Sequence, residues 1–348
     1  MSNFNIANKL LKMPKTELHL HLDGSVRPST LLQLASSSRL PLPVQTIEEL
    51  EPYMQVEEDC RSLKEYLDKF DFVLPFLQTA EALEQVAYEA VAQSAEQGCL
   101  YVEVRFAPQL HTLQGLSVHD VIAHVLRGLE AAAKQLSIQA QGIAICMRHH
   151  SSSLNMETVE AAAAFLGTGL AAVDLAGDEA SFPPGAFHAV FARARELGLP
   201  VTIHAGEAAG AENIREAVYG LGAIRIGHGI RLQESAELAR AIRELGLPLE
   251  MCPTSNIQTK AVPDWESYPI RDYFLQGLKI TVNTDNPTVS NTTLTREYEL
   301  LHRHFGFTWA ELKQIALNGA EAAFLPDDGK QILREKMLQR FLELDAEL

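Results

Sequence analysis

Short apolar or alternating runs recur along the chain, at residues 17–22, 100–106, 142–147, 171–175, 200–203, 223–226, 247–251 and 278–283. Each is followed by polar or glycine-containing residues and then by a longer stretch with helical spacing. Short apolar runs bounded by turn residues read as buried strands, and apolar positions three and four apart read as one face of a helix. The helical stretches are residues 80–96, 118–136, 157–166, 186–197, 214–221 and 235–245. Several end at a glycine (Gly98, Gly198, Gly222, Gly246), which suits a left-handed helix cap ahead of a strand. Eight strands alternating with helices predict an α/β fold with parallel pairing. The count favours a closed (β/α)8 TIM barrel over an open doubly wound sheet.

Two stretches break the rhythm. Residues 31–79 separate the first two strands and read as several inserted helices, and residues 308–348 read as a helical C-terminal extension. In the insertion, Leu63, Tyr66, Leu67 and Phe70 share one helical face. Such a stripe is ordinarily a buried face; here it is also a candidate apolar lid beside the first strand. A barrel of this class commonly exceeds 250 residues as one domain, so residues 1–348 are expected to form a single domain.

Composition narrows the function. Lys plus Arg is 29 against 45 Asp plus Glu, a formal net charge of −16. So acidic a surface repels phosphate backbones and anionic lipid, which argues against nucleic acid or membranes as partners. Cys60, Cys99, Cys146 and Cys252 are scattered, with none of the paired spacing of disulfide or thiolate–zinc frameworks. Residues 1–14 lack the apolar run of a signal peptide, so a cytoplasmic protein is expected.

The chemistry-bearing residues fall at the C-terminal ends of the predicted strands, the catalytic face of (β/α)8 enzymes. In the segment from Glu17 to Gly24, His19 and His21 share a phase of period two, so both imidazoles point to one side and could share a metal ion. Asp23 keeps that phase, as a substrate contact or a cap. After the fifth strand come His204, a possible third nitrogen ligand, and Glu207, a candidate proton shuttle. After the sixth, His228 stands between Gly227 and Gly229 as a ligand or as a residue that orients the attacking water. After the eighth, Asp285 offers an oxygen ligand ahead of Asn286 and Pro287. Each motif alone is weak. Their convergence on one barrel end is the signal, and nitrogen plus carboxylate ligands without thiolate suit zinc.

These residues lie in segments that resemble adenosine deaminases. The segments are residues 14–25, Leu175-Ala176-Gly177-Asp178-Glu179, residues 203–210, residues 225–229, Cys252-Pro253-Thr254-Ser255-Asn256 and residues 282–286. The resemblance spans essentially the whole chain in the family's order. It implies one Zn2+ per chain held by His19, His21, His204 and Asp285, with Glu207 as proton shuttle and His228 orienting the attacking water. It further implies that the Gly177 N–H meets a purine ring nitrogen and that Asp23, with His21 close by, sits near the ribose hydroxyls. The implied activity is zinc-dependent hydrolytic deamination of adenosine and 2′-deoxyadenosine to inosine and 2′-deoxyinosine plus ammonia, in purine salvage. It acts on a small nucleoside and needs no obligate protein partner. Many relatives carry a second Asp where this chain has Asn286. Purine N7 is an acceptor, and an amide donates to it at any pH, so the contact survives.

Two rival activities use the same barrel. Deamination of adenine or of an N6-substituted adenine nucleotide is the nearer. The segments His204–Gly210 and Cys252–Thr259 are more like the nucleoside enzymes, and a nucleotide would need cations for its phosphate that the motifs do not show. A two-metal amidohydrolase would need a bridging lysine after the fourth strand, where the chain reads Asp174-Leu175-Ala176-Gly177. A catalytically dead binding protein on this barrel is the reading from another class, and the retention of every candidate position argues against it.

Overall fold

Eight parallel strands form in the computed structural model, which describes every residue except 1, 2, 39, 58, 59, 61, 62, 347 and 348. They are β1 (Lys15–His21), β2 (Cys99–Phe106), β3 (Gln139–Met147), β4 (Leu170–Ala176), β5 (Thr202–Ala205), β6 (Arg225–His228), β7 (Leu249–Met251) and β8 (Ile280–Val282). Each overlaps one of the eight expected runs. β1–β4 and β5–β8 each pair in sequence order as four-stranded parallel sheets.

Two seams close the barrel. Val173 N donates to Pro200 O at 3.0 Å between the halves. At the other seam, His21 N donates to Asp285 O at 2.8 Å and Asp285 N donates to His19 O at 2.9 Å. The closing hydrogen bonds thus tie a candidate ligand of β1 directly to the one that follows β8.

Helices Ala80–Glu96 and Val118–Leu136 have the expected bounds. The Thr79 hydroxyl accepts from Ala82 N, and Ser117 forms a capping box with Asp120, so both starts satisfy otherwise orphaned N–H groups. Gly98, Gly198, Gly222 and Gly246 all have positive φ, as expected of helix-terminating glycines. The insertion contains helices Pro28–Ser38, Ile47–Met54 and Leu63–Val73, and the C-terminal extension contains Trp309–Ala322 and Asp327–Ala346. Both pack onto one continuous core that runs from Leu10 to Phe341.

The barrel interior departs from an all-aliphatic packing. Glu103, Arg105, Asp174, Arg225 and Glu250 are fully buried there. Arg105 pairs with Asp174 at 2.9 Å and with Glu250 at 2.7 Å, and Arg225 pairs with Glu250 and Glu103 at 2.6 Å each. The Tyr101 hydroxyl donates to Glu103 at 2.6 Å, and the Thr202 hydroxyl donates to Glu250 at 2.9 Å. Charges removed from water persist only when paired and hydrogen-bonded, and this network pairs each of them.

Glu17 lies outside that network. Its carboxyl accepts from the Thr284 hydroxyl at 3.0 Å and forms no ion pair among the described residues, and burial pushes its pKa up to about 8. An unfolded glutamate titrates near 4.3. The proton that Glu17 keeps in the fold therefore stabilises fully below about pH 4, and this contribution is lost as pH rises toward about 8. The melting temperature of Glu17→Gln relative to the parent is expected to rise across that window. A difference independent of pH would show that Glu17 is ionised throughout.

Candidate metal and active site

The open end of the barrel holds a cavity of about 390 Å³. Of the nine residues chosen from the sequence, eight line it: His21, Asp23, Gly177, His204, Glu207, His228, Asp285 and Asn286. The ninth, His19, is fully buried. The stripe on helix Leu63–Val73 also reaches the cavity, which Tyr66, Leu67 and Phe70 line. The side chain of Leu63 lies outside the described residues.

His19, His204, His228 and Asp285 each bring a ligand atom within 4.8 Å of the others. His21 joins them: its Nε2 is 3.2 Å from His204 Nε2 and 3.3 Å from Asp285 Oδ1. His19 Nε2 is also 3.3 Å from that oxygen, and it is buried without a hydrogen bond. Tetrahedral zinc with bonds of 2.0–2.1 Å has ligand–ligand edges of about 3.3 Å, so these separations fit. Burial pushes the His19 pKa down to about 4 and that of His21 well below the usual imidazole value. Both shifts run toward the neutral form a cation requires.

The supporting groups orient each ring. His19 Nδ1–H donates to Glu250 at 2.8 Å, and His204 Nδ1–H donates to Asp174 at 3.0 Å. Burial alone would lower the His204 pKa, but the Asp174 carboxylate outweighs it and raises the value. With Nδ1 so engaged, Nε2 of each ring faces the cluster, the carboxylate–imidazole arrangement typical of metal ligands. The Ser255 hydroxyl donates to Asp285 Oδ2 at 2.6 Å and leaves Oδ1 for the cluster. Burial opposes ionisation of Asp285, yet the surrounding imidazoles hold its pKa well below the usual value.

His228 is wired differently. Its Nδ1 accepts from Asn256 Nδ2 at 3.0 Å, and the Tyr268 hydroxyl donates to Asn256 Oδ1 at 3.1 Å. A neutral ring that accepts at Nδ1 carries its proton on Nε2, which makes that atom a donor and not a ligand. His228 Nε2 lies 3.5 Å from Glu207 Oε2. Geometric proximity alone would group His228 with the ligands; the hydrogen-bond pattern favours His21 in that role.

Local backbone serves this packing. His228 and Asp285 both have φ of +63°, a region side chains other than glycine rarely occupy and one that clusters at functional sites. A Cβ on Gly227 would stand 3.0 Å from His19 Cε1 and 3.2 Å from His204 Cα, so glycine there lets the His19 imidazole and the His204 backbone approach the strand.

Glu207 is buried at the cavity wall, and its Oε1 accepts from the Thr259 hydroxyl at 3.2 Å. Burial raises its pKa, with the adjacent His228 opposing. Burial also pushes Asp23 up to about 6. Asn286 is buried with Oδ1 lacking a hydrogen bond, and a Cβ on Gly24 would stand 2.0 Å from that oxygen. Sequence reasoning assigned no role to the orienting groups Asp174, Glu250 and Asn256. Their one signal was a polar residue inside an apolar run or a recognised motif.

A family model described as adenosine deaminase matches residues 14–340. An adenosine deaminase of Clostridium botulinum (strain Okra / Type B1) is 44% identical over 324 residues, 93% of this chain and 96% of that protein. Among solved structures, an amidohydrolase from Burkholderia ambifaria with bound Zn is 29% identical, with a TM-score of 0.90 over 98% of this chain and 94% of that one. An adenine deaminase from Arthrobacter aurescens is 28% identical, with a TM-score of 0.86 over 94% of this chain and 98% of that one. On its sequence and its site, the chain belongs to the adenosine deaminase family.

Proposed function

We propose that the protein deaminates adenosine and 2′-deoxyadenosine by hydrolysis, with one zinc ion held by His19, His21, His204 and Asp285. The observation that carries this reading is the convergence of His19, His21, His204, His228 and Asp285 at one cavity beside the buried acid Glu207. Zinc bound there would act as a Lewis acid that lowers the pKa of its water to about 7.

The chain's own groups do the rest. Glu207, whose carboxyl burial shifts toward the protonated form, donates to purine N1 and makes C6 more electrophilic. His228 donates from Nε2 to the attacking water and holds it against C6. The Gly177 N–H meets a ring nitrogen, the Asn286 amide donates to N7, and Asp23 with His21 faces the ribose. The water gives one proton back to Glu207 as it adds to C6. That proton passes to the amino group, the C6–N bond breaks to release ammonia, and the remaining hydroxyl proton returns to Glu207, leaving the 6-oxopurine nucleoside. Tyr66, Leu67 and Phe70 cover the base and exclude water.

A nucleoside fits better than a nucleotide. Asp23, Asp71 and Asp178 line the cavity and would repel a 5′-phosphate. The test follows the ultraviolet absorbance of adenosine and release of ammonia, with and without a chelator. Turnover that chelation abolishes and zinc restores is the expected result. Zinc-replete protein that leaves adenosine untouched but deaminates adenine would reassign the substrate.

A further inference from the structure

Glu179 stands two residues beyond Gly177 in the loop after β4, and its side chain is buried. Its Oε1 accepts from Gly206 N at 2.7 Å and from Asn213 Nδ2 at 3.1 Å. Its Oε2 accepts from Glu207 N at 3.0 Å, Ala208 N at 2.8 Å and Ala209 N at 3.1 Å. Four consecutive backbone N–H groups thus converge on one carboxylate. Successive N–H groups ahead of a helix form an anion-binding concavity, and helix Ala211–Tyr219 begins just beyond. Here the anion comes from the chain itself.

The concavity exists because Gly206 has φ of +73°; a Cβ there would lie 2.4 Å from Ile214 Cδ1. Glu207 is the second residue of this curved segment. Its own side chain accepts from the Thr259 hydroxyl at 3.2 Å and lies 3.5 Å from His228 Nε2. The aim of its carboxyl therefore depends on the backbone beneath it, which Glu179 holds.

We propose that Glu179 is a positioning residue for the deamination: it fixes the loop that carries Glu207 and ties it to the loop that carries Gly177. This rests on the reading of Glu207 as the proton donor to the purine. The two loops address the same ring from different strands, and the Glu179 carboxylate sets the spacing between them. The candidate metal ligands are oriented by other groups, namely Asp174, Glu250 and Ser255. Loosening the Glu207 loop therefore spares the metal cluster.

The test is a double-mutant cycle on the full-length, zinc-loaded protein, with Glu179→Gln, Glu207→Gln and both together. The glutamine keeps the size of the side chain but turns an NH₂ toward two or three of the five donors. A misplacement of about 1 Å at a reacting group can cost about 10²-fold, and a loss of that order in kcat is expected for Glu179→Gln, with KM and zinc content near the parent values. In the Glu207→Gln background the same change is expected to cost under about twofold, since a residue that acts through another adds nothing once that other is gone. Equal losses in both backgrounds, a loss confined to KM, or parallel loss of zinc would overturn the proposal. Should Glu179→Gln show no cooperative melting, Asn213→Ala decides instead. It removes one donor and leaves every backbone bond, and its smaller kcat loss must also vanish in the Glu207→Gln background. The wild-type control separates the two levels: no deamination of adenosine would refute the functional reading, whereas additive losses in an active enzyme would refute only the role of Glu179.

Discussion

Glu207→Gln is expected to keep its zinc and lose about 10³-fold in kcat, within the 10²–10⁴ that a positioned proton donor supplies. The substitution is nearly isosteric. Glutamine can still accept from the Thr259 hydroxyl, and the backbone beneath it remains clamped by Glu179. The amide can hydrogen-bond to N1 but cannot transfer a proton to it, so KM should change little while turnover collapses.

The pH profile gives a second readout. A donor must be protonated, and burial raises the pKa of Glu207. Parent activity should fall as pH rises through that raised value, and the residual activity of Glu207→Gln should lack this alkaline limb. Zinc content is read by elemental analysis and turnover by absorbance. Near-parent turnover in zinc-loaded Glu207→Gln would remove Glu207 from the mechanism.

That Glu207 and the histidines could be named from the chain alone follows from the geometry of parallel barrels. Strand period puts His19 and His21 on one side, and both Nε2 atoms do lie 3.3 Å from the same Asp285 oxygen. The eight strands were legible because parallel barrel strands are buried on both faces and read as apolar runs. Their ends were not. The fifth run begins at Pro200, yet β5 begins at Thr202, since proline lacks the N–H a ladder needs.

The charged interior was illegible for a related reason. Glu103, Arg105, Arg225 and Glu250 interrupt apolar runs, and a single strand cannot reveal that an opposite charge waits on a strand more than 100 residues away, as between Arg225 and Glu103. The role of Asn256 was hidden likewise. Only the folded chain brings its amide to His228 and so decides which imidazole nitrogen carries the proton. Pattern thus located the groups that face the cavity, while the groups that orient them depended on pairing across strands and loops.

Asp285→Asn should abolish tight zinc binding while leaving the barrel folded. Asn tolerates the positive φ of this position better than most residues, and its oxygen can still accept from the Ser255 hydroxyl. What disappears is the carboxylate charge that faces the Nε2 atoms of His19 and His21, at 3.3 Å each. Replacing groups that merely orient ligands typically costs 10–100-fold in metal affinity, so loss of the ligand charge itself should cost more than about 100-fold. The backbone of residue 285 also closes the barrel through His21 N and His19 O, and that pairing is independent of the side chain. Thermal unfolding without metal should therefore be similar in parent and variant, and only the parent should be stabilised by added zinc, as expected for a ligand that binds the native state. Competition with a chelator measures the affinity. A variant that held one zinc per chain with parent affinity would show that Asp285 is not a ligand and would return His228 to the candidate set.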